Sequence, residues 1–264
     1  MLKNYCRWAF AMIAVISFTK LHAQFNSSSD LPKKYRSVFL GFGPRSLNTE
    51  PGSIFTSFVD DSPSMDNFTG TFNVEDSYSR VGFILGYKSV RYNGLSHKFM
   101  FDIALGQHQG GLFTYALGYN FSRAINGKIL SINPSIFGGF GNYGFEIGAI
   151  ENNAGYIQIK DQQFYEQSLD LELVSQLFVF GPEININYTL NDHFEIWVNA
   201  AYDFASNNML PQLRFQSENE GSAEVNIDST NPYVTYNNEQ IESLPYDASG
   251  MRFTVGASYV WNRY

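Results

Sequence analysis

The chain has 264 residues, 17 basic against 25 acidic, a single cysteine and an aromatic content of 17%. Its net charge of −8 excludes nucleic-acid binding through a basic surface. One cysteine, Cys6, excludes a disulfide framework. Lys3 and Arg7 precede an apolar run from Trp8 to Phe18, and Leu21-His22-Ala23 offers a cleavage site before Gln24. Residues 1–23 therefore read as a secretory signal peptide, because the run is well short of the roughly 20 residues that a membrane-spanning helix needs. Cys6 is not at the end of that run, which argues against lipoprotein processing. Removal of Lys3, Arg7 and Lys20 with the signal leaves 14 basic residues against 25 acidic ones and no thiol. No later window is apolar enough to span a membrane as a helix.

Residues 24–35 read as a flexible polar tail on the periplasmic side, with Pro32 and the Lys33-Lys34 pair. From residue 36 to 264 the dominant signal is alternation with a period of two, which marks β-strands with one apolar face. Arg36–Pro44 carries Val38, Leu40 and Phe42 on one face. A long loop is expected over 45–77. Tyr78–Arg91 sets Val81, Phe83, Leu85 and Tyr87 against Arg80, Gly82, Gly86 and Lys88, and Asn93-Gly94 predicts a tight turn. His97–Gly106 places Phe99, Phe101, Ile103 and Leu105 opposite Asp102.

Leu112–Arg123 alternates Phe113, Tyr115, Leu117, Tyr119 and Phe121 with Thr114, Gly118, Asn120 and Ser122, and Asn126-Gly127 predicts a second tight turn. Lys128–Phe140 follows, with Leu130, Ile132, Pro134 and Ile136 on one face. After a second long loop over 141–175, Gln176–Leu190 sets Phe178, Phe180, Ile184, Ile186 and Tyr188 against Glu183, Asn185 and Asn187. Asn191-Asp192 turns into His193–Phe204, where Phe194, Ile196, Val198 and Tyr202 oppose Glu195, Asn199 and Asp203. The longest loop, 205–248, leads to the last strand, Ser249–Tyr264.

Eight strands result, joined by tight turns at one end and, at the other, by long loops and the short loop Gln107–Gly111. The fold class is therefore all-β: an eight-stranded antiparallel up-and-down transmembrane β-barrel with long extracellular loops. Pro134 and Pro182 each remove a ladder donor and are expected at bulges or near the rim. The charges fix the register. Arg80, Lys88, Asp102, Glu183, Glu195, Asp203 and Arg252 all oppose the apolar stripe. A one-residue slip would turn all of them toward lipid, at roughly 2–4 kcal/mol for each basic residue at mid-membrane.

An eight-stranded barrel is only wide enough for side chains to fill it, so these seven residues are expected to plug the lumen as paired charges. A narrow ion path is the sharper alternative.

The last strand places Thr254, Gly256, Tyr259 and Trp261 in a spacing that resembles the C-terminal assembly signal of bacterial outer-membrane β-barrels. That family usually ends at its last aromatic, whereas here Asn262, Arg263 and Tyr264 follow. By size and architecture the mature chain resembles small outer-membrane barrels of the OmpA/OmpX type, and also PorT-like barrels, some of which assist a secretion system. The resemblance implies residence in the outer membrane of a Gram-negative bacterium, contact with its lipid and recognition by the barrel-assembly machinery. It carries no diagnostic functional residue.

Some small barrels are lipid-modifying enzymes. His108, at the outer rim, is the best placed histidine, but Gly110 stands where the lipid A deacylase barrels carry a serine. No nucleophile–base set can be assembled from the sequence. The segment Gly139-Phe140-Gly141-Asn142-Tyr143-Gly144 fits a dinucleotide glycine pattern, but no helical pattern follows it. No cofactor is implied. Asp60, Asp61 and Asp66 read as a solvated acidic loop rather than a cation site. The expected function is non-enzymatic, with a protein or glycan ligand at the surface loops. Within those loops, Gly155–Tyr165, Glu224–Ile227 and Tyr233–Tyr236 are candidates for hairpins above the membrane.

Overall fold

The computed structural model describes residues 34–49, 51–74, 77–105, 110–206, 211–227, 231–241, 246–247 and 249–261, with the side chains of 45–49, 77–80, 105 and 246–247 left outside that description. Residues 1–33, which hold the expected signal peptide and most of the expected tail, His108, the Arg80 side chain and residues 262–264 lie outside the described residues.

In chain order the first strands are β1 (Tyr35–Thr49), β2 (Gly52–Val59), β3 (Asn67–Val74), β4 (Ser77–Val90), β5 (Leu95–Leu105) and β6 (Gly110–Tyr119). Next come β7 (Phe121–Ile125), β8 (Lys128–Glu151), β9 (Ile157–Ile159), β10 (Gln162–Phe164), β11 (Ser168–Thr189) and β12 (Phe194–Ser206). The chain finishes with β13 (Gln212–Ser217), β14 (Gly221–Asn226), β15 (Tyr233–Tyr236), β16 (Glu239–Gln240), β17 (Tyr246–Asp247) and β18 (Gly250–Trp261).

Eight walls close into one antiparallel ring. β1 pairs with β4, β4 with β5, β5 with β6, β6 with β8, β8 with β11, β11 with β12, β12 with β18, and β18 returns to β1. β7 continues the β6 wall against β8. The outward face carries Leu40, Phe42, Phe83, Leu85, Phe101, Ile136, Phe140, Phe178, Phe180, Ile184, Val198 and Phe253, all exposed. An apolar surface running right round a protein far exceeds what water tolerates, so this belt is a lipid-facing wall.

Turn chemistry follows the sequence with one refinement. Asn126 and Gly127 both adopt positive φ, as a two-residue type I′ turn requires. At the other two turns the loop is one residue longer. Arg91 and Leu95 close around Gly94, which alone is left-handed there, and Leu190 and Phe194 close around Asn191. The Asn93 and Asn191 side chains accept backbone N–H groups within these loops.

The two prolines do not make bulges. The register between the β6–β7 wall and β8 is the same on both sides of Asn120, and that between β11 and β12 is the same on both sides of Gly181-Pro182. What lapses is only the pairing beside Pro134 and Pro182, where no N–H can be given. Phe121 also departs from expectation. It keeps the outward register opposite Ile132, yet it is buried, with its ring 4.8 Å from that of Tyr119.

The long loops fold. The expected loop 45–77 contains the β2–β3 hairpin, and β15 pairs onto β2 to build a second sheet, β16-β15-β2-β3. The expected loop 141–175 is largely the outward continuation of β8 and β11, with β13 and β14 added beside β11. Tyr233–Tyr236 does not pair with β14, because β2 claims it. Between the two layers lies the largest apolar core described in the molecule. Ile54, Phe58 and Val234 come from one side, Phe145, Leu171, Leu173, Leu213 and Phe215 from the other, and Ile157, Ile159 and Phe164 from β9–β10. Each such side chain stabilises by about 1.5–3 kcal/mol when buried, enough together to order three connections into one cap.

Candidate functional site

Residues of odd number on β11 and β12 and even number on β5 and β18 turn into the lumen, where they form two charged clusters. Near the loop end of β18, Arg252 is buried 3.2 Å from Asp203 and 3.6 Å from Asp102, with its guanidinium 4.9 Å from the centre of the Phe137 ring. In the second cluster Lys98 Nζ stands 2.6 Å from both Glu183 oxygens. Ser135 Oγ and Asn199 Nδ2 donate to the same carboxylate at 2.7 and 3.2 Å.

Lys98 is absent from the seven charges anticipated. It has the same parity as Asp102 on β5, so the period-two reading of His97–Gly106 already placed it in the lumen beside Asp102. Lys88 is buried over the Tyr35 ring at 5.7 Å, and Glu195 is buried on β12.

Three apolar clusters pack among these groups. Phe39, Ile84, Met100 and Trp197 form one cluster, Leu112, Ala116, Phe137, Val179 and Ala201 another, and Tyr35, Val90 and Val260 a third at the turn end. At the loop end the cap core descends to Leu177 and Tyr143 on the barrel walls themselves.

Thr254, Gly256, Tyr259 and Trp261 have packing duties within the fold. Thr254 is buried toward the lumen. Gly256 lies against Gly41 across the β18–β1 seam, and Trp197 fills the slot the two glycines leave. A Cβ on Gly256 would collide with Leu40 O and the Trp197 ring. Tyr259 stacks with Trp261 and His193, and Trp261 approaches Tyr87, which makes an aromatic girdle at the turn end. His97 Nδ1 meets Tyr115 OH at 2.6 Å in the same girdle.

The cap is pinned by Asp60, which is buried instead of solvated. Its carboxylate accepts from Ser62 Oγ at 2.7 Å and from the backbone N–H groups of Asp66 and Gln158 at 3.0 and 3.1 Å. Asp61 accepts the N–H of Lys160 at 2.6 Å. The acidic loop is thus a clasp joining β2–β3 to β9–β10.

On its outer face the cap carries a row of charges across four strands: Glu146, Glu172, Arg214 and Glu224, each paired to the next in register. Arg214 reaches Glu172 at 2.9 Å and Glu224 at 2.7 Å. Burial raises the Glu146 carboxyl above its ordinary range, and the nearby Asp170 and Glu172 charges add to this. Just below the row a cleft of about 160 Å³ opens, lined by Asn142, Val174, Ser175, Gln176, Gln212, Arg214 and Glu224.

No protein-family model matches the chain, and no curated protein does. Among solved structures, the outer membrane protein OprG from Pseudomonas aeruginosa is similar over 86% of this chain and 97% of its own, with 9% identity and a TM-score of 0.38. The outer membrane protease OmpT from Escherichia coli is similar over 89% of this chain and 99% of its own, with 8% identity and a TM-score of 0.25.

Proposed function

We propose that this protein is a closed, non-enzymatic barrel of the Gram-negative outer membrane whose folded cap binds a partner outside the cell or serves an envelope or secretion complex. The observation that carries this reading is the cap core, which unites three long connections into one body across the barrel mouth. Loops that only shielded a pore would have no need of such a core. The apolar clusters packed among the lumen charges support a plug over an ion path. The described histidines, His97 and His193, are engaged with Tyr115 and with Val260 O and Tyr259, which supports a structural part for both. The eight-strand closure supports an outer-membrane barrel fold, and the OmpA/OmpX-type or PorT-like assignment with its accessory role is part of the proposal.

Because the only cysteine lies in the signal segment, single cysteines report orientation cleanly. Asn153→Cys, exposed beyond the end of β8, should react with a membrane-impermeant maleimide on intact cells. Asp192→Cys, at the opposite turn, should react only after permeabilisation. The reverse pattern, or equal labelling of both, would overturn the placement.

A further inference from the structure

The cleft on the cap's outer face has a defined height above the apolar belt. Asn142 and Gln176 are register partners on β8 and β11, each two residues beyond the lipid-facing pair Phe140 and Phe178. At about 3.3 Å per residue, their amides stand roughly 6–7 Å above the last aromatic row. This is the level of lipid headgroups, and the cleft opens on the side that lipid touches.

We propose that this cleft holds the uncharged sugar headgroup of a membrane glycolipid, whose acyl chains lie on Phe140 and Phe178. The proposal rests on the membrane placement above and goes beyond it by naming a ligand class. The lining alternates donors with acceptors, as a polyol requires. Asn142 and Gln176 each offer both, Gln212 adds its oxygen while its amide donates to Asn226 Oδ1, Glu224 contributes an acceptor, and Arg214 contributes the N–H groups left after its ion pairs. A phosphate headgroup suits it poorly. Arg214 is already neutralised by Glu172 and Glu224, and Glu146 and Asp170 add further negative charge beside the row. The cleft volume of about 160 Å³ is of the order of one hexose ring.

The test uses the full mature chain in nanodiscs of phosphatidylcholine doped with equal amounts of monoglucosyl diacylglycerol and phosphatidic acid of the same acyl chains. Native mass spectrometry then reads the lipids that stay bound. The expected result is selective retention of the glucosyl lipid, reduced about tenfold or more in Asn142→Leu/Gln176→Leu, as the loss of one or two hydrogen bonds implies. Both side chains are exposed, and heat-modifiable migration checks that the variant still folds. Equal retention of the three lipids, preference for phosphatidic acid, or an unchanged preference in the variant would each overturn the proposal. Displacement of the lipid by equimolar free methyl glucoside would overturn the membrane source. Failure to enter nanodiscs would instead strike the membrane placement, a distinct readout.

Discussion

Trp197 is the side chain on which the barrel seam depends. It occupies the slot between Gly41 and Gly256, so Gly256→Val must displace either the indole or the β1–β18 pairing. The expected outcome is loss of the compact, heat-modifiable form on unboiled gels. The Lys98–Glu183 pair makes a second prediction at this scale. Lys98→Met leaves a carboxylate buried without its cation and should destabilise the barrel by about 3–5 kcal/mol, whereas Lys98→Met with Glu183→Leu should recover most of that in urea unfolding. Outside the membrane, Glu166 is held below the usual carboxylate range by hydrogen bonds from Ser217 and Asn219. A depressed folded value means that its contribution is present at neutral pH and lost as pH falls through that value. The Asn219 amide signal should shift in acid in step with this titration, and Glu166→Gln should abolish the shift.

At the scale of elements, the alternation in β8 and β11 inverts where the membrane ends. Along β11, Phe178, Phe180, Ile184 and Ile186 face out within the belt, but beyond it Leu169, Leu171, Leu173 and Leu177 face in. The cause is the solvent. Lipid draws apolar groups outward, and water drives them inward. All eight barrel strands were legible from period two, because lipid on one face and a charged lumen on the other leave only one register. The cap was legible only at the Gly155–Tyr165 hairpin, which is β9–β10; a span of about 10 residues was taken as the length of each strand, and Ser, Asp and Gly around β2–β3 hid a second alternation of Ile54, Phe58, Phe68 and Phe72. The register shift beside Leu171 and Glu172 lets β8 continue in phase, with Gly148 at φ +148° against the Phe72 ring. Gly148→Val should therefore loosen the cap while leaving the barrel intact, read as new protease cleavage in the cap of reconstituted protein. Asp60→Ala removes the acceptor of three hydrogen bonds and should cost the cap about 1–3 kcal/mol, with faster amide exchange at Asp66 and Gln158.

For the whole molecule, the belt, the girdle and the inward charges describe a membrane barrel, and the cap describes what differs about this one. The site was only partly legible. The inward charges followed from parity, but their separation into an Arg252 cluster and a Lys98–Glu183 cluster depends on pairs such as Lys98–Glu183 and Arg252–Asp102, which join strands far apart in sequence. The proposed plug rests on the apolar clusters around Trp197 and Phe137 with the cap core above them. Single-channel recording of the purified protein in planar bilayers tests that claim most directly. The structure predicts no steady conductance at any voltage that the bilayer withstands. A stable open level, seen in every insertion and abolished by boiling, would contradict the sealed barrel.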